Sequence, residues 1–110
     1  MLKEIIKVLD DKKAHDIQAI QITDVSNLAD YMVICSGTST TQVRALADAV
    51  DEKIERNGDV SYHKEGSSTW VLLDYGDIIV NVFYTEDREF YKLENLWSDG
   101  IKLDIEELLK

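Results

Sequence analysis

Tyr31-Met32-Val33-Ile34-Cys35-Ser36-Gly37-Thr38-Ser39 is an apolar run that breaks at a small, polar turn. Tyr31 to Cys35 is too short for a helix and apolar on both alternating faces, which reads as a central strand buried on both sides. The turn leads straight into a long helix. Val43, Leu46, Ala47, Val50 and Ile54 recur at i, i+3, i+4, i+7 and i+11, a complete apolar stripe. Ser39 or Thr40 can cap its first amides, and Asn57-Gly58 supplies a left-handed stop. A buried strand feeding a helix at once predicts an α/β domain.

Upstream, Leu2, Ile5, Ile6 and Leu9 sit at helical spacing, so the chain opens with an amphipathic helix. Charged residues and His15 lead out of it into a strand over Ile17 to Ile22, which ends in the polar loop Thr23 to Asn27. Downstream, the alternation from Val60 to Glu65 reads as an edge strand followed by the small residues Gly66 to Thr69. Trp70 to Asp74 and Ile78 to Phe83 then pair as a hairpin across Asp74-Tyr75-Gly76-Asp77, where Gly76 can take a positive φ. Two short helical segments finish the chain, the second around Ile105 to Leu109. The hairpin forces antiparallel pairing, while the strand-helix-strand passage around Val43 to Ile54 offers a parallel neighbour. The expectation is one domain over residues 1–110 with a mixed sheet of about five strands flanked by helices.

Composition narrows the function. The chain has 110 residues, which suits a single core, with a net charge of −10 from 22 acidic and 12 basic residues. Nucleic-acid binding needs clustered Lys and Arg to displace counterions, so direct binding of that kind is disfavoured as the dominant mode. An acidic surface steers toward a basic partner instead. Cys35 is the only cysteine, which excludes an intramolecular disulfide and fits a reducing compartment. No segment approaches the ~20 apolar residues of a membrane span, and the charge-interrupted N-terminus is not a signal peptide. The expected location is the cytoplasm.

Seven of the nine aromatic residues fall between Trp70 and Trp97, among carboxylates and with neither Cys nor His beside them. Aromatic rings give large, rigid contact area, and Trp, Tyr and Arg are the residue types that most often anchor interfaces. Such a segment points to recognition rather than catalysis.

The constellations that could carry chemistry are thin. Gly37-Thr38-Ser39 precedes a helix N-terminus, a geometry that presents free amides to an anion. Nucleotidyltransferases place a Gly-Ser turn at such a spot and hold magnesium with a nearby Asp-x-Asp pair. No such pair follows here: Asp48, Asp51 and Glu52 are spaced for helix faces, so a capped turn is the simpler reading. Asp74 and Asp77 bracket the hairpin turn, where such residues usually fix the backbone through side-chain hydrogen bonds. His15, His63 and Cys35 have no metal-site spacing, and Cys35 reads as a small core residue. No catalytic, metal or cofactor site is expected.

Three motifs, in order, carry a family resemblance. They are Ala29-Asp30-Tyr31 through Gly37-Thr38-Ser39, Trp70-Val-Leu-Leu-Asp-Tyr-Gly-Asp77, and Arg88-Glu-Phe-Tyr-Lys-Leu-Glu-Asn-Leu-Trp97. Together they resemble the ribosomal silencing factors, the Iojap-like family, over nearly the whole chain. The resemblance implies a nucleotidyltransferase-like fold without the enzyme's metal pair. It also implies a translational repressor that binds the large ribosomal subunit through ribosomal protein fourteen and sterically blocks joining with the small subunit. A role in large-subunit maturation is compatible with the same docking. The alternative from another class is a small nucleotide- or phosphate-binding enzyme using the Gly37 turn.

Trp70, Leu72, Asp74 and Tyr75 lead the expected docking surface. Alternation puts the first three on one strand face, and Tyr75 could reach round from the turn. Tyr84, Arg88, Tyr91 and Glu94 follow by family match, and Tyr91, Glu94 and Trp97 share the spacing of one helical side. The same aromatic patch also allows a homodimer, an alternative the sequence leaves open.

Overall fold

Every helix described packs against one face of a sheet, and the sequence stripes show why. In the computed structural model, which describes residues 1–23, 29–56, 58, 63–86 and 100–110, the first helix α1 spans Leu2–Asp11. It buries Ile5, Ile6 and Leu9. The long helix α2, Thr40–Arg56, buries Val43, Leu46, Ala47, Val50 and Ile54, the residues of the predicted stripe. A last short helix, α3, covers Ile105–Leu109 and is capped by Asp104, whose side chain accepts from the Glu106 amide at 3.0 Å. Leu103, Ile105, Leu108 and Leu109 add to the core that α1 and α2 build.

The sheet has six strands: β1 His15–Gln21, β2 Tyr31–Gly37, β3 His63–Gly66, β4 Trp70–Asp74, β5 Ile78–Tyr84 and β6 Ile101–Lys102, in the order β3-β4-β5-β2-β1-β6. Pairing is antiparallel throughout except between β2 and β5. The sheet is therefore mixed, as expected. The parallel neighbour differs from the simplest reading, however. The passage through α2 lands on β3, and the strand hydrogen-bonded to β2 is β5, with Tyr31 opposite Ile78 and Gly37 opposite Tyr84.

About five strands were expected, and β6 is the sixth. It holds two residues, pairs Ile101 and Lys102 with Gln21 and Ile20, and is too short for any periodicity to announce it. The strand β1 also starts earlier than Ile17. A register shift between His15 and Gln18, with Asp16 at φ +49°, lets the chain bulge and resume pairing with β2. The edge-strand expectation holds for 63–66, while 60–62, Asn57, residues 24–28 of the first loop and the helical segment expected within 87–99 lie outside the described residues.

Alternation divides the core in two. Val33 and Cys35 of β2, Val71 and Leu73 of β4, and Ile78, Val80 and Val82 of β5 face the helices. Met32, Ile34, Ile79 and Phe83 face the opposite side, where Ile20, Ile22 and Ala29 join them and Trp70 and Leu72 pack against them half-buried. Gly66 lets β3 and β4 approach. A Cβ there would meet Trp70 O at 2.7 Å and the Val71 Cα at 2.8 Å.

Candidate functional site

The strand face opposite the helices carries the residues expected to dock. On β4 the exposure pattern alternates, with Trp70, Leu72 and Asp74 half-buried and Val71 and Leu73 buried. Roughly 13 Å of strand separates Trp70 from Asp74, given the ~3.3 Å rise per residue. Trp70 stands opposite Phe83 in the ladder, and the two rings stack with centroids 5.1 Å apart and an interplanar angle of 21°. The indole Nε1 donates to Asn81 Oδ1 at 3.0 Å. Leu72 lies opposite Asn81 and Asp74 opposite Ile79, so this face of β4 rests on β5 along its whole length.

The turn end of the face is acidic. Asp74 Oδ1 accepts from the Gly76 amide at 2.8 Å, the turn-fixing bond expected of it, and Gly76 takes φ +88°. The Asp77 carbonyl accepts from the amides of Asp30 (2.8 Å) and Tyr31 (3.0 Å), which ties the hairpin turn to the start of β2. Asp30 and Asp77 are exposed. Asp30, Asp74 and Asp77 thus lie on neighbouring segments at the turn end of the sheet, beyond Trp70 and Leu72 along β4.

Tyr75 does not join them. Its ring is 5% exposed and belongs to the helix-side core, and its hydroxyl donates to Asp51 Oδ1 on α2 at 3.1 Å. Burial, then the charge and hydrogen bond of Asp51 and the charge of Glu55, hold this hydroxyl neutral well above the ordinary tyrosine range. The expectation that Tyr75 reaches round to the Trp70 face is corrected: it fastens the hairpin to α2. Tyr84 likewise packs, half-buried, against the helix-side core. Of the leading four residues the structure brings together Trp70, Leu72 and Asp74. Arg88, Tyr91 and Glu94 lie outside the described residues.

The Gly37 turn is closed by its own residues. Ser39 Oγ accepts from the Gln42 amide at 3.0 Å, and Gln42 Oε1 accepts from both the Thr38 amide (2.7 Å) and the Thr38 hydroxyl (3.1 Å). This is close to a capping box, and it occupies amides that an anion would need. The Gly37 carbonyl accepts from Thr85 Oγ1 at 2.9 Å. Cys35 is buried, and among the described residues no group of three His, Cys, Asp or Glu side chains is placed to hold a metal ion. A cleft between α2 and the β3–β4 hairpin is lined by Thr40, Thr41, Arg44, Asp48, Glu65 and Ser67 among others, a mixed set of hydroxyl and charged side chains.

Asn81 is the residue that sequence reading passed over. It is 1% exposed and sits mid-strand between buried Val80 and Val82. A lone polar residue inside Ile78-Ile-Val-Asn-Val-Phe83 was the available signal.

These features define a small single α/β domain with a mixed sheet, a half-buried Trp70–Leu72 strip on one sheet face and carboxylates beyond its end. Comparison with known proteins gives the family. A family model described as "Ribosomal silencing factor during starvation" matches residues 1–110, and the chain belongs to that family. It is 39% identical over 110 residues to the ribosomal silencing factor RsfS of Bacillus subtilis, covering 94% of this chain and 93% of that one. A crystal structure of a Chromobacterium violaceum protein superposes with a TM-score of 0.85 at 35% identity, covering 88% of this chain and 82% of that one. A more distant mouse relative, named "Mitochondrial assembly of ribosomal large subunit protein 1", is 29% identical over 99 residues, covering 86% of this chain and 43% of that protein.

Proposed function

We propose that this chain is a non-enzymatic, ribosome-associated repressor of translation. In this reading it acts in the cytoplasm, docks on the large ribosomal subunit through ribosomal protein fourteen, and obstructs joining with the small subunit. Membership of the silencing-factor family supports the ribosomal role, and the relative named for large-subunit assembly supports the choice of subunit. Among the described residues no helix is long and apolar enough to cross a membrane.

One geometric observation carries the docking surface: Trp70, Leu72 and Asp74 share a single strand face with Trp70 stacked on Phe83. A rigid aromatic with an aliphatic neighbour supplies affinity, and the carboxylates of Asp30, Asp74 and Asp77 meet Lys and Arg of a basic ribosomal protein. Repression follows from bulk, because a folded body on the intersubunit face leaves no room for the partner subunit.

Co-sedimentation with purified large subunits, small subunits and joined particles tests the reading. Retention on the free large subunit alone, with fewer joined particles formed in its presence, is expected. Comparable retention on small subunits overturns it.

A further inference from the structure

We infer that Asn81 is a positioning residue that sets the orientation of the Trp70 ring for partner binding. The inference rests on the docking reading above and names a residue outside the docking set.

Asn81 breaks a local rule. Asn is depleted in strands, and this one stands at the centre of the sheet with β4 on one side and β2 on the other. Its neighbours on the same face are Ile34, Leu72, Ile79 and Phe83, all apolar. A leucine, which has the same branched outline though a larger volume, would suit that layer chemically without hydrogen bonds of its own. An amide here is at home only because it has partners of its own, and in some proteins a buried polar group of this kind specifies a geometry.

The hydrogen bonds supply that geometry. An indole N–H can only donate, so the Asn81 oxygen must be the atom facing Trp70, at 3.0 Å. The amide nitrogen is then turned the other way, and it donates to Met32 Sδ at 2.8 Å. Met32 is 4% exposed on the neighbouring strand β2. The chain Trp70–Asn81–Met32 has one polarity only, and it crosses three strands. Stacking on Phe83 fixes the plane of the indole but not which edge points inward, because a half-turn about Cβ–Cγ restores the plane with the edges exchanged. The bond to Asn81 removes that freedom by drawing the single polar atom of the ring inward. The rest of the ring is carbon, which suits an anchor that must enter an apolar pocket on a partner. Fixing a side chain before binding lowers the ordering cost of association, worth about three- to tenfold in affinity for one rotamer-rich group.

The experiment uses the full chain with Asn81→Leu, and Asn81→Val as a second apolar variant. The readouts are hydrogen exchange of the Trp70 indole N–H by nuclear magnetic resonance, assigned by its loss in Trp70→Phe, and affinity for purified large subunits. The expected result has three parts: a variant that stays folded at the assay temperature, faster exchange of the indole N–H, and affinity reduced about three- to tenfold. In a Trp70→Phe background, where no indole N–H exists to be held, Asn81→Leu should cost no further affinity, a coupling that a merely structural residue would not show. Wild-type affinity in Asn81→Leu, when Trp70→Ala binds weakly, overturns the inference. Additive losses in the double variant overturn it as well. Unfolding of both apolar variants also overturns it, since Asn81 is then required by the core. If Trp70→Ala binds like wild type, the docking reading fails, and the inference falls with it even if exchange shows the ring to be held.

Discussion

The Tyr75 hydroxyl lies 3.1 Å from Asp51 Oδ1 and joins the β4–β5 turn to the middle of α2. The turn thus belongs to the helix-side core, although the strand leading into it presents its half-buried residues to the other side. Its consequence is a pH signature. Folding holds Tyr75 protonated above its ordinary pKa, which is near 10. The folded state therefore binds this proton more tightly than the unfolded state. The contribution is fully present below pH ~10 and is lost as pH rises beyond it. Urea melts of wild type and Tyr75→Phe should differ by about 1 kcal/mol at neutral pH, and the gap should close above pH ~10. A gap that stays constant to pH 11 would show that the hydroxyl does not titrate in this way.

Trp70→Ala should weaken binding to large subunits by ~2 kcal/mol or more, about thirtyfold. Because the ring also stacks on Phe83, the variant must first be matched to wild type by circular dichroism and melting temperature. If it unfolds, the burden passes to Asp74.

Asp74→Lys reverses a charge at the end of the aromatic strip and also removes the bond to the Gly76 amide. Asp74→Asn keeps an acceptor for that bond and removes only the charge. The lysine variant should lose docking by more than the asparagine variant, with subunit-joining assays as readout. Equal behaviour of Asp74→Lys and wild type in a folded protein would exclude this end of the hairpin from the interface.

Rising salt should slow association with the large subunit more than it speeds dissociation, since rim carboxylates mainly steer encounter. Stopped-flow rates at several ionic strengths measure this directly. A salt-independent association rate would reduce the net charge of −10 to a solubility feature.

Gly66→Ala should destabilise by ~1–3 kcal/mol, because the atoms a Cβ would strike belong to the β4 backbone and cannot swing away. Gly58→Ala, which meets nothing within 4 Å, should cost only its strained φ of +88°, about 1 kcal/mol. Chemical denaturation of the two variants ranks them.

Much of this architecture was legible where a pattern repeats. The α2 stripe repeats its period over several turns, and the continuous apolar run before it and the hairpin each extend over several residues, so one uncharacteristic residue could not mislead. The sixth strand repeats nothing, and its pairing with Ile20 and Gln21 depends on where the tertiary fold brings it. Tyr75 is more instructive. Strict alternation from Trp70 assigns it to the side of Val71 and Leu73, which is where it sits; the reading that sent it round the turn to Trp70 set the period aside. Asn81 was hidden for the opposite reason, because its role lies in a bond between side chains on two strands, and strand patterning reports only faces.

The pairing of β2 with β5 also sets a timetable for synthesis. Tyr31 finds its partner only at Ile78, so β2 emerges with one long edge unsatisfied until α2, β3 and β4 have all been made. Parallel pairings between distant segments are slow to close, and an open apolar edge invites wrong partners in the meantime. A chain stopped before Phe83 has neither the centre of its sheet nor the ring on which Trp70 stacks. The centre of the sheet can therefore close only after β5 has been made.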